Sequence, residues 1–198
     1  MVLAMPDIKA ELIEYFKKTS SFKHDPVNKF RLSSGIESEF YVDCKTVVAD
    51  PIAMAKIGEY SFEKVKSLKF DCIGGLEIGA IALAAIISHY GLQHAQKWPN
   101  FVVRKQVKGH GLGKKIEGIV KPGSRALIVD DVLTSGGSIL QAVEAARQAG
   151  LVVDHALVIV DRQEQDGERN LEKEDVRLIS LLTIRDFLSI KRLASTLK

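Results

Sequence analysis

Only two cysteines, Cys44 and Cys72, occur in 198 residues, and they form no CxxC pair. A disulfide framework is therefore not expected, and buried thiols in a reducing compartment are. Long apolar runs are missing too. The longest, Ile78 to Ile87, falls short of the roughly 18 residues a membrane helix needs. Met1 to Met5 is too brief for a signal h-region, and Asp7 and Lys9 follow at once. No membrane partner and a cytoplasmic location are the expectation. Several catalytic signatures are absent: GxSxG, HExxH and GxxxxGK[ST] do not occur. Gly109, Gly111 and Gly113 do not make GxGxxG, and the histidines at 24, 89, 94, 110 and 155 lack metal-ligand spacing. Repeats and low-complexity segments are lacking as well.

With 46% hydrophobic and 27% charged residues, the chain has the balance of a soluble domain with a real core. The net charge of +3 is modest, but Arg104–Lys121 holds six Lys or Arg against one acid, Glu117. Such a patch attracts anions, small phosphates or nucleic acid. Lys105–Lys121 carries no aromatic for base stacking, so nucleic acid is not the expected partner.

Periodicity predicts a helix over 6–18, short β pieces at 30–32 and 40–43, and a helix from Pro51 to Ser67. Strands are predicted at 70–75, 100–105, 125–131, 151–162 and 176–183. Helices are predicted at 78–90 and 138–149, with a last one carrying Ile190, Leu193, Ala194 and Leu197. Strand, glycine turn, helix, strand is the βαβ grammar of a buried parallel sheet. Lys105–Gly123, with five glycines and many charges, is the candidate mobile loop.

IVDDVLTSGGS, residues 128–138, reads as an apolar strand ending at Val129, then two acids, then small residues that open a helix. Ligands of open α/β sheets sit beyond the carboxyl ends of strands, and a helix N-terminus binds phosphate. Carboxylates repel phosphate but accept strongly from hydroxyls. A ribose 5-phosphate has the matching shape, with a diol for Asp130 and Asp131 and a phosphate for Thr134–Ser138. A merely capped, solvated turn is the plain alternative.

The same stretch resembles the phosphoribosyl pyrophosphate (PRPP) motif of type I phosphoribosyltransferases. VRKQVKGHGLGKKIEG (103–118) resembles the RKxxKxHG catalytic loop of orotate phosphoribosyltransferases. VDRQEQDGERNLEKE (160–174) resembles the segment with that family's orotate-binding arginine, and FRLSSGIESEFYVDCK (30–45) resembles its N-terminal hood. The resemblance implies a single domain over 1–198, an α/β Rossmann-like parallel-sheet core over about 49–198 and a small hood over about 1–48. It implies transfer of ribose 5-phosphate from PRPP to orotate, with Mg2+ held mainly through PRPP rather than by protein ligands. Arg104, Lys105, Lys108 and His110 become catalytic and pyrophosphate-neutralising residues. Asp130, Asp131, Val132, Leu133, Thr134, Ser135, Gly136, Gly137 and Ser138 become the rest of the PRPP site. Thr134, Arg162 and Tyr41 become base contacts, although Arg162 could instead pair with Asp161 or Glu164, and Tyr41 could be core. A homodimer with the catalytic loop shared across subunits is implied as well.

The chain departs from the family in places. Hood and pyrophosphate-loop lysines of some members are Ser33 and Ile78 here, and Glu37 and Glu39 replace a basic residue and a proline. In GGLEIGA, the backbone N–H groups of Glu77 to Gly79 are left to face pyrophosphate. A phosphoribosyltransferase for another base, and a non-catalytic PRPP-binding regulator, are the alternatives.

Overall fold

The computed structural model describes residues 7–32, 35–106 and 115–189. Its centre is a six-stranded sheet in the order β10-β9-β8-β5-β6-β7. The strands are β5 (Cys72–Leu76), β6 (Asn100–Val103), β7 (Ile116–Gly118), β8 (Arg125–Leu133), β9 (Val152–Asp161) and β10 (Arg177–Thr183). All neighbours run parallel except β6 and β7. The expected parallel α/β core is therefore present, with an antiparallel edge strand added.

That edge corrects the expected loop. Residues 116–118 pair with Phe101–Val103, because Ile116 and Val120 have an apolar cluster to pack against. The expected terminal helix around Ile190–Leu197 lies outside the described residues, although 184–189 are already helical.

The sheet is covered on both faces. Along β8, Leu127 and Val129 belong to one apolar cluster, while Ala126 and Ile128 belong to the other. This is the period-2 alternation of a strand buried on both sides. The first cluster takes in α1 (Ile8–Lys18), α3 (Pro51–Val65) and α4 (Gly79–Gln93). The second takes in α5 (Gly137–Gln148) through Ile139, Ala142, Val143 and Ala146.

Helix starts follow capping chemistry. Asp50 Oδ1 accepts from Ile52 N and Ala53 N at 2.8 and 3.0 Å, with Pro51 in the first turn of α3. Asp43 accepts from Thr46 N at 3.2 Å and starts α2 (Cys44–Ala49), a short helix that the β-branched CKTVVA pattern conceals.

Two small antiparallel ribbons stand apart from the main sheet. One pairs β1 (Phe22–His24) with β4 (Phe40–Val42), and the other pairs β2 (Phe30–Arg31) with β3 (Glu37–Ser38).

The strand order places the site. From β5 the chain crosses through α4 to β6 on one side, and from β8 it crosses through α5 to β9 on the other. The reversal lies between β5 and β8, and a crevice opens beyond their carboxyl ends. Leu127 is 1% exposed at the middle of this arrangement. Leu127→Ala is expected to cost about 2–5 kcal/mol in urea unfolding. A loss under about 1 kcal/mol would contradict a close-packed centre at β8.

Candidate active site

A cavity of about 580 Å³ fills that crevice, lined by both crossover turns, by Arg31 and by residues 41–45. Its floor is acidic. β8 runs two residues past the predicted 125–131, because the ladder to β9 continues to Leu133↔Asp161, and Asp130 and Asp131 are strand residues. Asp130 is 7% exposed and Asp131 is partly exposed. Burial, and then the neighbouring Asp131 charge, push the Asp130 carboxyl up to about 7. Asp130 Oδ1 accepts from Asp131 N at 2.9 Å. Lys45 Nζ lies 3.2 Å from Asp131 Oδ2, and Asp131 raises the Lys45 amine above its ordinary value.

Helix α4 begins directly over these acids. A Cβ on Gly79 would stand 2.5 Å from Asp130 Oδ1 and 2.6 Å from Asp131 Oδ1, so only glycine admits this approach.

The other half of the cavity is an uncapped helix N-terminus. Gly136, at φ 86°, turns the chain into α5, and no side chain caps that helix. Its first N–H groups are thus open to an anion, beside the Thr134, Ser135 and Ser138 hydroxyls. Asn170 of α6 (Gly167–Glu172) donates to Ser135 O at 3.1 Å and steadies the turn. Helix α4 also lacks a side-chain cap. The Glu77 N–H, expected to face the ligand, instead donates to Val103 O at 2.9 Å, since it continues the sheet ladder. The Glu77 carboxylate accepts from Lys105 N at 2.9 Å and fixes the start of the basic loop.

Most of the residues singled out in the sequence converge here. Asp130, Asp131, Val132, Thr134 to Ser138, Lys105, Tyr41 and Arg162 all line the cavity. Tyr41 is 38% exposed, which removes core packing as its role. Leu133 is 1% exposed, so its side chain is core, while its carbonyl accepts from Arg162 N at 3.0 Å. Arg104 points to Glu117 on β7, with Nη1 at 3.6 Å from Oε1. Lys108 and His110 lie outside the described residues. Arg162 pairs with Glu164, Nε to Oε2 at 2.8 Å, and it also lines the cavity. Both cysteines are buried, and burial raises both thiols, Cys72 to about 11, which is unsuited to a thiolate nucleophile.

Lys45 and Asn170 are further residues at the cavity with no local signal in the sequence, while Glu77 and Gly79 were expected there only for their backbone N–H groups.

The phosphoribosyl transferase domain profile matches residues 43–188. Orotate phosphoribosyltransferase of Aquifex aeolicus is 41% identical over 172 residues, spanning 87% of this chain and 92% of that protein. The chain belongs to the orotate phosphoribosyltransferase family. Among solved structures, Mycobacterium tuberculosis orotate phosphoribosyltransferase with Fe(III) dicitrate superposes at a TM-score of 0.77 and 34% identity, covering 91% of this chain and 98% of that one. The same Mycobacterium tuberculosis enzyme with PRPP gives a TM-score of 0.72 at 27% identity, covering 93% of each chain.

The family's acidic pair makes a pH prediction. Asp130 has a folded pKa of about 7 against an ordinary value of 3.8. The folded chain therefore holds a proton that the unfolded chain releases. The stabilisation is full below the ordinary value and is lost as pH rises through about 7. Asp130→Asn removes this dependence. Its urea midpoint minus that of the parent protein should increase from about pH 4 to about pH 8. Parallel pH curves for the two proteins would remove the buried-acid assignment.

Proposed function

We propose that this chain transfers ribose 5-phosphate from PRPP to orotate, giving orotidine 5′-monophosphate and pyrophosphate in pyrimidine synthesis. The observation that carries the reading is one cavity with acids at one end and an open helix N-terminus at the other, in a chain of this family. The 5-phosphate takes the N–H groups and hydroxyls of Thr134–Ser138. The ribose hydroxyls donate to Asp130 and Asp131. Orotate lies toward Tyr41, Thr134 and Arg162, with its carboxylate on the guanidinium.

As the bond from the anomeric carbon to pyrophosphate breaks, the ribose carbon becomes cation-like and the orotate nitrogen bonds to it. Catalysis is then charge placement and alignment. Arg104, Lys105, Lys108 and His110 neutralise the departing pyrophosphate, and the closed loop excludes water. Ile78 and Gly79 line the cavity, and their backbone N–H groups would add donors for the pyrophosphate.

The carboxylate oxygens of Asp130 and Asp131 on the cavity floor fit magnesium, a hard cation that arrives on the substrate. PRPP oxygens would supply most ligands, and the bound ion would offset pyrophosphate charge. The single domain, its hood over about 1–48, a cytoplasmic homodimer and a loop reaching the partner's site complete the proposal. The family resemblance supports them, and no helix among the described residues is long and apolar enough to cross a membrane.

The test is a substrate panel. The protein is incubated with PRPP, magnesium and, in turn, orotate, uracil, hypoxanthine or guanine, and pyrophosphate release is followed. Release with orotate alone is the expected result. Turnover confined to a purine overturns the orotate assignment, and PRPP binding without turnover supports a regulator instead.

A further inference from the structure

Arg162 is 4% exposed at the end of β9, and a guanidinium so buried needs a fixed set of partners. Those partners come from both ends of the chain. Nε donates to Glu164 Oε2 at 2.8 Å, and Nη2 donates to Ser38 Oγ and Phe40 O, each at 2.8 Å. Ser38 Oγ donates to Glu164 Oε1 at 2.7 Å and accepts from Phe40 N at 3.0 Å. A hydroxyl has one proton to give and two lone pairs to receive, and Ser38 uses all three.

Glu164 is aimed inward by an unusual turn. Gln163 and Gln165, on either side of it, have φ of 52° and 54°, a left-handed conformation that non-glycine residues adopt at a cost. The turn directs the carboxylate back at Arg162 and Ser38 rather than into water. Ser38 belongs to β3 and Phe40 to β4, so the network also ties the N-terminal ribbons to the main sheet.

We propose that Ser38 and Glu164 are positioning residues for base recognition, holding the Arg162 guanidinium in one plane and presenting it to the carboxylate of the base. The inference rests on the reading of Arg162 as the base's carboxylate partner. The network takes Nε and both Nη2 protons, so Nη1 is left for the base, and its N–H groups meet the carboxylate only while the guanidinium plane is held. The N-terminal ribbon thereby becomes part of the base subsite, although neither Ser38 nor Glu164 lines the cavity.

Steady-state kinetics with orotate and PRPP test this. Ser38→Ala should raise the KM for orotate about tenfold, with kcat and the KM for PRPP changed by no more than about twofold. Ser38→Thr keeps the hydroxyl and should restore the orotate KM. Glu164→Gln should raise that KM in the same way, and it serves if Ser38→Ala does not fold. Because Ser38 acts through Arg162, the Ser38→Ala/Arg162→Ala double variant should be no worse for orotate than Arg162→Ala alone. An unchanged orotate KM in Ser38→Ala, or additive losses in the double variant, overturns the proposal. If Arg162→Ala impairs orotate use while Ser38→Ala and Glu164→Gln do not, the positioning role alone is lost. If Arg162→Ala leaves the orotate KM unchanged, the underlying reading of Arg162 falls and the proposal with it.

Discussion

Burial of the Asp130 carboxyl at the end of β8, hard against Asp131, is the constraint on which the site depends. Two acids side by side in a half-dry crevice repel one another and resist ionisation. The fold tolerates them because Lys45 reaches Asp131, because the Asp131 N–H faces Asp130, and because Gly79 leaves no side chain above them. In the proposed function a ligand that donates hydroxyls to both acids would relieve the cost of burial, and a phosphate on that ligand would meet the N-terminus of α5.

Much of this was legible in the sequence, for identifiable reasons. β8 and β9 are long, apolar and bounded by turn residues, and TSGGS announces a helix start after a strand. Both signals are local. The strand predicted at 125–131 took in both acids, but its last two residues were not legible, because only the ladder to β9 carries β8 on to Leu133. Strand β7 was hidden by the charges and glycines around it, since its pairing with β6 is a tertiary fact. Helices α2 and α6 have six residues each, too few to show a period.

The site divides in the same way. Residues inside one motif, Asp130 to Ser138, could be read together. Lys45 and Asn170 act on that motif from 86 and 35 positions away, and nothing local marks them. The Arg162 network is the extreme case. The pairing with Glu164 is present, and the same guanidinium lines the cavity, where the ligand clamp is the proposal. Contacts across 122 to 126 residues of sequence put the N-terminal ribbons and Arg162 in one hydrogen-bonded unit.

The central claim is that one ligand joins the acids to the cradle. Calorimetric titration of ribose 5-phosphate against inorganic phosphate, on the parent protein and on Asp131→Asn, tests it most directly. The account predicts that the parent prefers ribose 5-phosphate by about tenfold or more, and that Asp131→Asn loses this preference while still binding phosphate. Equal binding of the two ligands by the parent protein, or a preference untouched by Asp131→Asn, would contradict it.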